Sequence, residues 1–458
     1  MSRTRTRAVA SNGKIVLNRQ IAKKIKSGDL KIAVYGLGHV GSPIASAWLR
    51  AGAYVIGVDK SPRIIENARK GRTHVPEPGV SEAFSAGLKE KRFFVYEDPV
   101  KASSDSFLKM ICVPVLLTDL FTADLAAVRQ VASSIARGLK RGDVVSLNPS
   151  VPPGTSEDVV VPILEKESGL SVENDFFMLY NPERIYEGRA IEDIEERYPA
   201  VIAGAGPKSL EIGGLLYSMI FKKGVITIGN MRTAETEKLL EGVYRDVNIA
   251  LANEMAKFCE SIGVDFWEAR EAANSQPFSH IHKPGAGVGG ACIPVYPQFV
   301  LHAAAAHDVD CNITRLGRNT NDSMPSYCVE QASRLVGSIN GSRVAVLGLA
   351  FRGGVSDTRL SPTYSVIDEL KKKGAKEIRV HDPLVKTDQR LDKDIKLSNV
   401  LKESVKDTDL VILVADHPEY RDLSSAAVWG APVYDGRGLL NKTKFPPGGF
   451  ASIGRPRK

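Results

Sequence analysis

The sequence predicts an α/β protein: two doubly wound domains joined by a central helical domain with a long connecting helix. Three observations carry this. A short apolar run (31–35, KIAVY) breaks into glycines, and a helix-forming stretch and a second apolar run (54–58, YVIGV) follow. From Thr233 to Ile262 the chain has no Gly or Pro except Gly242. Strand–helix alternation then resumes at Ser342. A length of 458 residues also exceeds what one hydrophobic core usually serves.

The first segment is a strand–helix–strand unit of a parallel sheet, with the helix starting at Ser42. Apolar runs at Lys109–Val113, Asp143–Leu147, Phe176–Tyr180 and Ala200–Ala203 continue it. In the middle, Leu239, Leu240, Val243, Val247, Leu251 and Met255 recur at helical spacing, and Gly263 is placed to end the helix. The last segment predicts strands at 343–347, 377–380, Leu410–Val414 and Val433–Tyr434, with a helix over Pro362–Lys373. The two α/β halves read as a divergent pair. Expected boundaries are a basic arm (1–30), a first α/β domain (31–212), a helical domain (213–335), a second α/β domain (336–445) and a basic tail (446–458).

The formal charge of +8 sits at the ends. Eight basic residues and one acid give residues 1–30 a net +7; Arg455, Arg457 and Lys458 add +3, leaving −2 for the body. No nucleic-acid motif accompanies the charge, so no nucleic-acid partner is expected. Hydrophobic content of 43% with 25% charged residues excludes a disordered chain, and no apolar stretch reaches membrane-spanning length. Five cysteines without a CxxC pair fit reduced thiols in a cytoplasm. His280 and His282 lack a third neighbouring ligand, so no metal is expected.

Gly36-Leu37-Gly38-His39-Val40-Gly41 matches GxGxxG between a strand and a helix. Gly36 permits the turn, Gly38 lets backbone approach a pyrophosphate, and Gly41 allows close helix–strand packing; His39 and Val40 complete the loop. Asp59, 21 residues after Gly38, ends the second strand. A carboxylate there accepts hydrogen bonds from a ribose diol and repels a 2′-phosphate, which favours NAD and makes this domain Rossmann-like. The second α/β domain has the topology without the fingerprint (348–354, GLAFRGG). Its Arg352, Arg359 and Arg437 suit phosphates or a nucleotide base. Gly285–Gly290 is a glycine-rich loop, and Cys292 follows it. A cysteine beside NAD can attack an aldehyde, pass hydride on as a thiohemiacetal, and release acid from a thioester.

Several motifs in order carry a resemblance: YGLGHVGSPIA (35–45), SVPPGTSE (150–157), NPERIYEGRAI (181–191), AETEKLLEGVYRDVNIALANE (234–254), PGAGVGGACIP (284–294), GLAFRGGVSDTRLSP (348–362), VHDP (380–383) and YDGRG (434–438). The chain resembles the UDP-glucose/UDP-N-acetylmannosamine dehydrogenase family, nucleotide-sugar 6-dehydrogenases, and its wording is more like the UDP-N-acetylhexosamine branch. The resemblance implies oxidation of a C6 alcohol through an aldehyde to a carboxylate, with two NAD reduced per UDP-sugar, for polysaccharide or glycan precursors. It implies Cys292 as nucleophile, Lys238 as stabiliser of developing negative charge, and Glu183 as the acid that helps activate water. Ser150 and Glu187 fall near the nicotinamide. Arg184, Asn248, the loop glycines Gly285, Gly287 and Gly289, Arg352 and Arg437 fall to the sugar nucleotide. A homodimer through the central helices is implied too.

Four positions depart from the family pattern. Gly242 replaces an asparagine and Tyr296 an aspartate, CVPV (112–115) lacks a threonine after its proline, and Phe278 stands where that branch often has arginine. A tyrosine, with a reference pKa of about 10, cannot be a carboxylate base at neutral pH. The alternatives are therefore a UDP-glucose 6-dehydrogenase, a dehydrogenase that stops at the aldehyde, or a catalytically impaired nucleotide-sugar binder.

Overall fold

The computed structural model describes residues 12–456. Two compact units meet in sequence at Leu239/Leu240. The first is built on an eight-stranded sheet: β1 (Ile32–Tyr35), β2 (Val55–Val58), β3 (Phe93–Tyr96), β4 (Leu108–Ile111), β5 (Val144–Leu147), β6 (Phe177–Tyr180), β7 (Ala200–Gly204) and β8 (Val225–Thr227). Their order is β8-β7-β6-β5-β4-β1-β2-β3, parallel except for the β6–β7 pair. Strands β1, β2, β4 and β5 are buried along their whole length, which is why they read as unbroken apolar runs rather than alternations. The strand order reverses between β1 and β4, and loops leaving their C-terminal ends frame a crevice.

The second unit carries a six-stranded, all-parallel sheet: β9 (Arg343–Leu347), β10 (Glu377–His381), β11 (Lys396–Ser398), β12 (Leu410–Leu413), β13 (Val433–Asp435) and β14 (Phe450–Ser452), in the order β11-β10-β9-β12-β13-β14. Counted from the first strand of each sheet, both follow the order third-second-first-fourth-fifth-sixth. The divergent pair is therefore real in topology. It extends to the first turns: the Gly36 amide donates to the Val58 carbonyl (2.8 Å) and the Gly348 amide to the His381 carbonyl (2.7 Å). Both glycines have positive φ.

The ends differ from the expectation. Residues 1–11 of the basic arm, and Arg457 and Lys458 of the tail, lie outside the described residues. The rest of the arm holds a helix, α1 (Asn12–Ser27), whose Ile25 is fully buried in the core of the first unit. The first sheet runs past residue 212 to take in β8, and the expected tail supplies β14, a strand of the second sheet. Helix α2 (Gly41–Arg50) follows β1. Helix α3 spans Met231–Ser261, close to the expected 233–262, and Gly263 at φ +77° ends it. Helices α4 (Phe266–Asn274), α5 (Tyr296–Ala305), α6 (Asn312–Asp322) and α7 (Met324–Val336) complete the central region. Among the described residues no helix is long and apolar enough to cross a membrane.

One ion pair lies inside the first unit. Lys109 on β4 is fully buried against Asp143, and its ammonium also donates to the Ser106 carbonyl (2.5 Å). Burial pushes Lys109 down to about 8 and Asp143 upward, while their mutual attraction works against both shifts. Removing one partner strands a charge in the core. Asp143→Ala should cost about 3–5 kcal/mol by urea denaturation. Lys109→Met/Asp143→Asn, which keeps an acceptor for the Lys140 amide, should recover most of that loss.

Candidate active site

The glycine turn after β1 has the geometry a dinucleotide requires. A Cβ at Gly41 would run into the Gly36 carbonyl, so helix α2 starts hard against the strand. A Cβ at Gly38 would meet nothing within 4 Å, which leaves the backbone open to a pyrophosphate. Val40 occupies the position just before α2, and the Ser42 hydroxyl donates to the Leu37 carbonyl (2.8 Å). Asp59 accepts from the Leu37 amide (2.8 Å) and the Ser61 amide (2.9 Å). A carboxylate has about four acceptor sites, so capacity for a ribose diol is left. His39 and Glu187 approach to 3.8 Å.

The counterpart of Asp59 in the second sheet is spent. Asp382, fully buried, accepts from the amides of Leu349, Ala350, Leu384 and Val385 (2.8–2.9 Å) and faces His417 Nε2 at 3.1 Å. The second α/β domain therefore has the dinucleotide topology without an acid available to a ribose.

A polar lattice sits beyond β5. The Asn148 side-chain amide donates to Asn181 Oδ1 (3.1 Å) and the Tyr217 hydroxyl (3.0 Å), and Asn181 donates to the Val201 carbonyl (2.7 Å). Ser150 lies nearly buried on this loop, and the Glu183 amide donates to the Asn148 carbonyl (3.3 Å). The Glu183 carboxylate accepts from the Ile185 amide. Arg184 reaches Glu237 on α3 at 4.0 Å, which brings the NPER segment to the helical turn of Lys238. The same turn carries Glu235, a residue the sequence reading missed. Its fully buried carboxylate accepts from the amides of Gly154 (2.5 Å) and Ser156 (2.8 Å), tying the SVPPGTSE loop to α3. Burial pushes Glu235 up to about 7, against the pull of Ser156 and Gly154.

In the second unit Gly287 and Gly289 are needed for room, and a side chain at Gly285 would push aside the Arg437 guanidinium. A Cβ at Gly285 would sit 2.5 Å from Arg437 Nη1, one at Gly287 2.7 Å from Pro362, and one at Gly289 2.5 Å from the Leu360 carbonyl. The Gly285 amide donates to Asn253 Oδ1 and the Gly290 amide to the Arg359 carbonyl, both at 2.9 Å. Arg437 is held by the Val414 carbonyl (2.5 Å) and Phe351 carbonyl (3.4 Å), while Arg352 stacks over Phe351. Asn248, expected at the substrate, accepts the His282 amide (2.9 Å), so here it shapes the loop entry. A buried chain of Asp246, Arg318, Asn321 and Asn253 runs behind, also missed from sequence. Cys112, Cys259 and Cys328 are buried, and burial pushes their thiols up. Cys292 is exposed, just past the glycine loop.

Three family models match consecutive parts of the chain. Residues 30–221 match the NAD binding domain of the UDP-glucose/GDP-mannose dehydrogenase family, residues 232–323 its central domain, and residues 345–442 its UDP binding domain. The chain belongs to the UDP-glucose/GDP-mannose dehydrogenase family. It is an oxidoreductase, and NAD is its cofactor. A UDP-N-acetyl-D-mannosamine dehydrogenase from Pyrococcus horikoshii is 33% identical, over 93% of this chain and 99% of that one. An NDP-N-acetyl-D-galactosaminuronic acid dehydrogenase from Ralstonia nicotianae is 31% identical, over 90% and 97%. The solved UDP-D-ManNAc dehydrogenase of P. horikoshii superposes with a TM-score of 0.84 at 31% identity, covering 93% of this chain and 99% of that one. A UDP-glucose dehydrogenase from Pyrobaculum islandicum gives 0.83 at 27%, covering 91% and 98%.

Within this family member, Glu235 offers a direct test. Its ionisation is shifted upward on folding, so the charged form costs stability, and stability should fall as pH rises from the ordinary carboxyl range through about 7. Glu235→Gln keeps an acceptor for one amide and removes the titration. The melting temperature of the variant should lose that part of the decline between pH 5 and 8, read by scanning calorimetry. An unchanged pH slope would show that Glu235 does not titrate there.

Proposed function

We propose that this chain is an NAD-dependent nucleotide-sugar 6-dehydrogenase that oxidises a UDP-N-acetylhexosamine, of the mannosamine or glucosamine type, to its uronic acid. The observation that carries the reading is an exposed Cys292 directly after a glycine loop packed on the UDP-binding domain. The names of the relatives at 31–33% identity support the N-acetylated sugar.

The residues divide the work. Gly36, Gly38, His39, Val40, Gly41 and Asp59 hold NAD, which accepts hydride when bound. Ser150 and Glu187 serve the nicotinamide side. The loop of Gly285, Gly287 and Gly289, with Arg352 and Arg437, holds the UDP; Arg184 and Asn248 belong to the substrate side, Asn248 through the backbone it fixes. The C6 alcohol loses a hydride and a proton to give an aldehyde. The Cys292 thiol adds across it, sulfur to carbon and proton to oxygen; the thiohemiacetal loses a second hydride and its hydroxyl proton to give a thioester, and water cleaves the thioester to release the acid and restore the thiol. Lys238 stabilises the oxyanion and Glu183 takes the proton of water. Five cysteines, all free, fit a reducing compartment, so we place the protein in the cytoplasm.

A homodimer through the central helices is part of the proposal. Leu240, Tyr244, Leu251 and Phe258 are exposed on α3, with Ile262 exposed just past its end, and at 3.6 residues per turn the four on the helix fall within about 40° of one another. Ile313 and Leu316 are exposed on α6, which packs on α3 where Gly317 meets Val247. A surface of this kind is expensive to leave in water.

Gly242 and Tyr296 favour a second reading, a binder of nucleotide sugars without turnover. Purified protein with NAD and a panel of UDP-sugars separates the two. Two NADH per sugar and a carboxylate by mass spectrometry are expected with one UDP-N-acetylhexosamine, and Cys292→Ala should abolish acid formation. Calorimetric binding with no NADH from any UDP-sugar would decide for the binder. Leu251→Glu/Phe258→Glu should shift the sedimentation mass from dimer to monomer; an unchanged mass would place the interface elsewhere.

A further inference from the structure

Gly242 and Tyr296 stand 54 positions apart in sequence, and each looks like a separate loss of a polar side chain. In the second unit they touch. A Cβ built on Gly242 would lie 3.0 Å from Tyr296 Cβ and 3.1 Å from Tyr296 Cγ, and closer still to the ring edge. The ring edge could turn away, but the two atoms at the root of the side chain would stay tighter than ordinary contact, so the tyrosine would have to shift as well as turn. A side chain at 242 therefore displaces the tyrosine from its present place. A glycine inside a helix is destabilising, because it adds backbone freedom to the unfolded chain and packs nothing. Here it has a use: it is the recess into which a buried aromatic ring is set.

That ring is linked to the nucleophile through the backbone. Tyr296 is the first residue of α5, and its amide donates to the Cys292 carbonyl at 3.0 Å. The Val295 amide donates to the same carbonyl at 3.1 Å. Phe299, one turn on, is buried with its ring centroid 6.4 Å from that of Tyr296. The turn bearing Cys292 is thus fastened at one end to an aromatic side chain packed in a helix recess, while Cys292 itself is exposed.

We propose that Gly242 and Tyr296 form one packing unit and that Tyr296 is a positioning residue for Cys292. The two departures from the family pattern are then a single coupled change, in which packing holds the nucleophile's turn. The proposal rests on the reading of Cys292 as nucleophile, but its test does not need turnover.

The test is the rate of Cys292 alkylation by iodoacetamide between pH 6 and 10, read by peptide mass spectrometry on the full-length protein. Gly242→Asn should displace the ring and change the alkylation rate about tenfold. Tyr296→Ala, which removes the ring without a clash, should do the same, and Tyr296→Phe should restore the wild-type profile relative to it. Gly242→Asn/Tyr296→Asp, in which a small side chain makes room for the asparagine, should return toward wild type. If the dehydrogenase reading holds, Tyr296→Ala should lower kcat about tenfold or more with KM little changed. If Gly242→Asn does not fold, Tyr296→Ala against Tyr296→Phe decides. A Cys292 profile unmoved in folded Tyr296→Ala overturns the proposal. A shifted profile in a protein that reduces no NAD keeps it and removes the dehydrogenase reading instead.

Discussion

Helix α3 is 31 residues long, about 46 Å at the usual rise, and its buried face mixes polar with apolar side chains. Glu235, Asp246 and Asn253 are fully buried on it. A buried polar group without a partner costs more than a hydrogen bond returns, so each of these dictates what must lie beside it. Glu235 demands two amides and takes them from Gly154 and Ser156. Asp246 demands a cation and takes Arg318, with Asn321 filling in. Asn253 passes that chain on to the Gly285 amide. Within the first unit the helix holds the SVPPGTSE loop, and within the second it holds the entry to the glycine loop.

The two sheets show how one topology reaches two uses. Each has a glycine of positive φ after its first strand, a hydrogen bond donated by that glycine's amide to the carbonyl ending its second strand, and an aspartate just beyond. The difference lies in what the aspartate already holds. Asp59 holds two amides, whereas Asp382 holds four and faces a buried histidine. Specificity at this position is set by hydrogen-bonding capacity left over, not by the presence of the residue.

The fold was largely legible because central parallel strands are continuous apolar runs and α3 keeps its period over many turns. Phe93–Tyr96, Val225–Thr227, Lys396–Ser398 and Phe450–Ser452 were not seen. They are three- or four-residue strands, and all but Phe93–Tyr96 are three residues long, stabilised by a neighbour the local sequence does not show. At the site, the glycine turn, Asp59 and Cys292 were legible because their chemistry restricts residue type within a short window. Glu235, Asp246 and Asn253 were hidden because their partners lie 81, 72 and 32 residues away. The pairing of Gly242 with Tyr296 was hidden for the same reason, and it alters how those two positions are understood.

The strand at Phe450–Ser452 has a further consequence. Directly after it, the Ile453 carbonyl accepts the Trp267 indole N–H (2.8 Å), the Gly454 carbonyl accepts the Phe266 amide (2.8 Å), and the Gly454 amide donates to Glu260 (2.6 Å). The end of α3 and the start of α4 are therefore anchored by residues made almost 190 positions later. During synthesis those helices leave the ribosome long before their anchor exists. These three anchoring contacts of the second unit can form only after the segment translated behind every other strand of its sheet has emerged.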